Sequence, residues 1–162
     1  MKITFLDIDG VCNSYEWYVK KEKPIIGEYF DEDIDPEVID RINRLCEESD
    51  SKIVISSSWR IDSYYKQRLE KAGLKNIIDK TPITAFDSHY FTRGEEIQMW
   101  LEYHPEVTNY VIIDDYEDFM KEQLPHFVKI NPYKGFTEGD YNKALKILSG
   151  WESGYPSLCK SD

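Results

Sequence analysis

Phe5-Leu6-Asp7-Ile8-Asp9-Gly10-Val11 ends an apolar stretch that begins almost at the first residue, and its reading decides the fold. Lys2 to Ile8 has the apolar, β-branched character of a buried strand. Alternation along a strand sends the side chains of Asp7 and Asp9 to one face, and Gly10 directly after them supplies the backbone freedom for a sharp turn. The two carboxylates therefore sit where strand becomes loop. In an open α/β sheet that strand end is where ligands bind. Two acids closing an apolar strand are costly unless something neutralises them, which favours chemistry over a simple Asx turn.

Working outward, apolar runs alternate with helical patterns. Val38, Ile39, Ile42, Leu45 and Cys46 recur at helical spacing, with Asp35 as N-cap and Pro36 at the first helical position. Lys52 to Ser57 reads as the next strand, followed by a helix from about Asp62 to Ala72 that Gly73 terminates. Leu74 to Ile78 suggests a short strand, and Thr92-Arg93-Gly94-Glu95 has the form of a capping box ahead of Ile97, Trp100, Leu101 and His104 on one helix face. Tyr110 to Ile113 is a buried-strand run ending in Asp114-Asp115. Phe127 to Ile130 suggests a last strand, and Thr137 opens a helix with Tyr141, Ala144, Leu145 and Leu148 inward. This order implies a three-layer, doubly wound, Rossmann-like α/β fold with a mainly parallel sheet covered on both faces.

The 162 residues suit one domain, expected over residues 1–149, with residues 150–162 as a C-terminal extension. The net charge of −11 argues against gripping long nucleic acid through its phosphates, but not against binding the end of a strand. Cys12, Cys46 and Cys159 are odd in number, widely spaced and without a CxxC pair. They suit reduced thiols in a cytoplasmic compartment. No apolar segment has the length of a signal core or a membrane span, so a soluble protein with no membrane partner is expected.

Polar groups thus gather at three strand ends: Asp7 and Asp9, then Ser56-Ser57-Ser58, then Asp114-Asp115. With Trp59-Arg60, Arg93-Gly94-Glu95-Glu96-Ile97 and Trp100-Leu101, these blocks resemble the haloacid dehalogenase (HAD) superfamily of phosphohydrolases, and more narrowly the HAD domains of Swiss Army Knife RNA repair proteins. The resemblance runs to about Leu148. It implies Asp7 as a nucleophile forming an aspartyl-phosphate, and Asp9 as the acid and base. Mg²⁺ would be held by Asp7, the Asp9 carbonyl and Asp114, with Asp115 as a supporting or alternative ligand. It also implies a hydroxyl on the phosphoryl oxygens. Alignment of Trp59 with the tryptophan that follows this motif favours Ser57, with the Ser58 N–H assisting, while Ser56 remains open. The basic residue is usually Lys; here Arg93 stands in its place, with Lys80 an earlier candidate and Arg60 a further substrate contact.

Plainer roles compete. Serines favour helix N-caps, and Arg93 is also readable as a surface residue in a first helical turn, against the dipole. Trp59 and Trp100 read as core; His89, His104 and His126 show no metal-ligand spacing. The chain from about residue 12 to 34 is too short for a cap domain but long enough for a flap. There Tyr15, Trp17 and Tyr18 adjoin Lys20, Lys21 and Lys23, a pairing suited to base stacking but equally to an ordinary hairpin or loop. A minimal cap implies a bulky phosphorylated substrate, by family analogy the 3′- or 5′-terminal phosphate of a nucleic acid. A phosphatase of a small metabolite or phosphoprotein is the alternative, as is a noncatalytic, receiver-like module. In receiver domains, however, the acidic pair precedes the phosphoacceptor strand. Oligomeric state is not legible.

Overall fold

In the computed structural model, residues 1–21, 34–84 and 91–150 are described. Part of the expected flap (22–33), His89, Cys159 and the extension beyond Gly150 lie outside the described residues.

Five strands form one parallel sheet in the order β3-β2-β1-β4-β5, where β1 is Lys2–Leu6, β2 Ser51–Ile55, β3 Ile77–Lys80, β4 Asn109–Asp114 and β5 Phe127–Lys129. Helices α1 (Tyr15–Lys20), α2 (Pro36–Ser49), α3 (Tyr65–Lys71), α4 (Arg93–Glu102) and α5 (Glu138–Leu148) connect or follow them. Alternation along β1 divides the core. Ile3 and Phe5 join Val54, Ile112 and the α4 residues Ile97 and Trp100, whereas Leu6 joins Ile53, Ile55, Val111 and Ile113 against α2, Leu69 of α3 and α5. Both faces are covered, which is why the strands are apolar throughout rather than alternating with polar residues.

The helix signals correspond to real caps. Asp35 accepts from the Glu37 N–H at 2.9 Å with Pro36 at the first position, and Thr92 and Thr137 form capping boxes with Glu95 and Asp140. Three elements differ from expectation. The strand expected at Leu74 to Ile78 begins at Ile77, because Gly73 (φ +100°) and Asn76 (φ +62°) keep the chain turning; Leu74 is buried as a core residue of that turn. The helix expected from about Asp62 begins only at Tyr65, after a 3₁₀ turn at Ser58–Ile61, since the Asp62 carboxylate accepts from the Tyr64 N–H and diverts the backbone. The start of the flap is neither hairpin nor loop but α1, capped by Ser14, whose hydroxyl accepts from the Trp17 N–H. Cys12 and Cys46 are buried free thiols, and among the described residues no helix is long and apolar enough to cross a membrane.

Candidate active site

Sheet register builds the site. Leu6 pairs with Ile55 on one side and Ile113 on the other, so the next row is Ser56, Asp7 and Asp114. Two more backbone bonds secure that row: the Asp7 N–H donates to the Ile113 carbonyl at 3.0 Å and the Ser56 N–H to the Leu6 carbonyl at 3.1 Å. The chain leaves β1 toward β2 on one side, while β4 lies on the other. The carboxyl ends of β1 and β4 therefore flank the topological switch point. Gly10 (φ +74°) then turns the chain so closely over Asp115 that a Cβ there would lie 2.3 Å from its Oδ2.

Asp7 and Asp114 are buried, and Arg93 joins them. Its Nη1 lies 3.1 Å from Asp7 Oδ1 and 2.5 Å from Asp114 Oδ2. Arg93 is aimed by the way α4 begins. Gly94 has no Cβ to collide with Phe119, Met120 and Gln123, its N–H donates to the Asp118 carbonyl, and the Gln123 side chain donates back to the Gly94 carbonyl. The dipole cost of a cation in a first helical turn is offset by two carboxylates. Burial alone would lower the Arg93 pKa, but Asp7 and Asp114 outweigh it and push it up. Burial, together with the Asp114 charge, raises the Asp7 carboxyl from 3.8 to about 7, against the pull of Arg93 and a hydrogen bond from Ser57. Burial also raises Asp114, and raises Asp115 with help from Asp114.

The three serines have separate places. The Ser57 hydroxyl accepts from the Trp59 N–H at 3.3 Å, the helix-capping role, and it bears on Asp7, lowering its carboxyl pKa against the larger effect of burial. Ser56 is fully buried, with no hydrogen-bond partner for Oγ among the described residues, and Ser58 is exposed at the cleft wall.

Trp59, read as core from sequence, is buried but polar in its contacts. Its indole N–H donates to both Asp9 carboxylate oxygens, at 3.1 and 3.0 Å. Asn13, which sequence reasoning missed, donates from Nδ2 to Asp9 Oδ1 at 2.8 Å and accepts the Gly10 N–H at 2.8 Å. The available signal was its place three residues after a turn glycine, where an amide can close the loop.

Arg60 and Lys80 are spent elsewhere. Arg60 donates to the carbonyls of Ser56, Ser57, Thr81 and Pro82 and forms an ion pair with Glu96. Lys80 donates to the Arg60 carbonyl at 2.9 Å and lies over the Tyr65 ring. His104 and His126 stack on Trp100 and Tyr110 with Nδ1 against backbone carbonyls, as satisfied histidines.

The row opens into a cleft of about 710 Å³ whose walls include Asp7, Asp9, Arg93, Asp115 and a rim of Tyr15, Tyr18, Phe91 and Tyr116. Trp17 faces a different hollow, with the Lys21 ammonium over its ring at 4.4 Å. One carboxylate oxygen each from Asp7, Asp114 and Asp115 lies within 4.8 Å of the others. An all-oxygen set whose acids are driven toward protonation by burial and, at Asp7 and Asp115, by the Asp114 charge fits a hard divalent cation. The Asp9 side chain is not in that cluster, being held by Trp59 and Asn13.

No curated protein and no solved structure matches the chain. A family model described as the HAD domain in Swiss Army Knife RNA repair proteins matches residues 3–141. Nearly the whole described sheet and every residue of the acidic row fall within that span, and the chain belongs to this HAD family.

Proposed function

We propose that the chain is a Mg²⁺-dependent phosphatase that hydrolyses a phosphate monoester through an aspartyl-phosphate on Asp7, with a terminal phosphate of a nucleic acid as substrate. The observation that carries this reading is the meeting of Asp7, Asp114 and Arg93 at the β1/β4 switch point. Asp7, Asp114, Asp115 and the Asp9 carbonyl would hold the cation. When bound, it offsets the repulsion among the carboxylates and toward the phosphate dianion, keeping Asp7 ionised at neutral pH.

Asp7 attacks phosphorus while the leaving oxygen takes a proton from Asp9. Water then gives its proton to Asp9 as it attacks the same phosphorus, releasing phosphate and free Asp7. Arg93 and the Ser57 hydroxyl steady the phosphoryl oxygens, with the Ser58 N–H assisting.

A single terminal phosphate needs no basic stripe, which reconciles the substrate with a net charge of −11. The tyrosines and Phe91 at the cleft rim suit stacking on a base, and free thiols at Cys12 and Cys46 fit the cytoplasm. The reading is tested by phosphate release with Mg²⁺ from 3′- and 5′-phosphorylated RNA oligonucleotides, beside mononucleotides, a sugar phosphate and a phosphopeptide. Preferred turnover of an oligonucleotide end supports it. Preference for the sugar phosphate or phosphopeptide removes the nucleic acid, and no turnover of any of them removes the phosphatase.

A further inference from the structure

The Asp9 carboxylate is gripped unequally. Oδ1 receives two donors, Asn13 Nδ2 at 2.8 Å and Trp59 Nε1 at 3.1 Å, whereas Oδ2 receives only Trp59, at 3.0 Å, among the described residues. Neither donor is free to wander. Asn13 is buried and its carbonyl oxygen accepts the Gly10 N–H, tying the amide to the turn that carries Asp9. Trp59 is buried, its backbone N–H is held by Ser57 Oγ, and the Arg68 guanidinium lies over its ring at 4.6 Å while pairing with Asp62 at 3.1 Å. An indole ring filling core space needs no carboxylate beside its N–H. Here the N–H straddles both oxygens, which fixes the rotation of the carboxyl group as well as its position.

We propose that Trp59 is a positioning residue. Its indole N–H, together with the Asn13 amide, orients Asp9 so that Oδ2 is the oxygen that exchanges a proton with the substrate. The inference rests on the phosphatase reading above. In the first step the bond from phosphorus to the leaving oxygen breaks, the Asp7 to phosphorus bond forms, and the proton on Asp9 Oδ2 passes to the leaving oxygen. In the second, a water proton passes to Oδ2 as the water oxygen bonds to phosphorus and the Asp7 to phosphorus bond breaks. Ser57 Oγ holds the Trp59 backbone N–H, and the same hydroxyl lowers the Asp7 carboxyl pKa, so the turn after β2 bears on both acids.

The test replaces Trp59 by 3-benzothienylalanine, which keeps the ring shape and exchanges the N–H for sulfur, with Trp59→Phe beside it and Asp9→Asn as reference. With Mg²⁺, kcat/KM is measured on an alkyl phosphate, whose leaving oxygen needs a proton, and on 4-nitrophenyl phosphate, whose leaving group does not. General acid catalysis contributes roughly 10²- to 10⁴-fold, so loss of orientation is expected to cost the alkyl ester about 10-fold or more and the nitrophenyl ester less than about 3-fold. A purely structural tryptophan predicts equal losses on both esters or none, and either result overturns the inference. Asp9→Asn separates the two levels. If it shows the leaving-group-dependent loss and the N–H deletion does not, Trp59 is not the positioning residue and the phosphatase reading stands. If wild type releases no phosphate, or Asp9→Asn loses nothing on the alkyl ester, the reading underneath fails.

Discussion

Arg60 and Arg93 line the same cleft, each paired with carboxylate, and they do opposite things. Arg60 is 7% exposed and binds four backbone carbonyls across the turn after β2 and the chain after β3, with Glu96 as its counterion. Arg93 is 24% exposed, and its side chain is paired with Asp7 and Asp114. Burial lowers the Arg60 pKa, only partly offset by Glu96, while two acids raise that of Arg93. A guanidinium tied to carbonyls is part of the frame; one tied to reactive carboxylates can exchange partners when a phosphoryl group arrives.

That contrast is most easily broken at the shared partner. Asp7→Asn is expected to lower phosphate release by about 10³-fold or more with folding retained, read by turnover beside thermal melting. Arg60→Met leaves the buried Glu96 charge without its counterion and takes a donor from four carbonyls, so denaturant titration is expected to show a loss of about 3–5 kcal/mol, while the folded fraction keeps activity within a few-fold. A stable but inactive Arg60→Met protein would erase the distinction. Arg93→Met is expected to melt close to wild type and to lose about 10²-fold in kcat/KM. The effect that needs no substitution is the dependence of stability on pH without metal. The folded Asp7 carboxyl, at about 7, holds a proton that the unfolded chain releases near 3.8. Its contribution to stability is therefore present at low pH and lost as pH rises from about 4 to about 7, about 3 units at about 1.4 kcal/mol each, or on the order of 4 kcal/mol. Urea titrations in EDTA at pH 5 and pH 8 read this directly, and Mg²⁺ is expected to restore the loss at pH 8.

Sequence was most informative where one residue type has one structural consequence. Gly10 after an acidic pair, Pro36 behind Asp35, and Thr92 three residues before Glu95 name a turn and two helix starts, and the apolar strands announce a sheet buried on both faces. What sequence could not separate were residues whose role depends on direction. Arg60 and Arg93 are equal as charges, and only the packing of Gly94 against Phe119 and Met120 turns one toward Asp7. The serine triplet was ambiguous because adjacent residues can cap or donate; Ser56 and Ser57 are equally buried, and what separates them is the Trp59 N–H that Ser57 Oγ accepts, while Ser56 Oγ has no partner among the described residues. Trp59 looked apolar by composition, but its N–H meets Asp9 across fifty positions of chain. The end of α1 and the chain beyond it carried no decisive pattern, and tyrosines and lysines that look alike in sequence divide between the cleft and a separate hollow.

The most direct test of the central claim is borohydride trapping during turnover of 4-nitrophenyl phosphate with Mg²⁺, followed by mass spectrometry of the peptide containing Asp7. An acyl phosphate on Asp7 is reduced to an alcohol, so the account predicts homoserine at position 7, only when substrate and metal are both present. Sustained phosphate release with Asp7 unmodified, or with the reduced residue elsewhere in the chain, would contradict it.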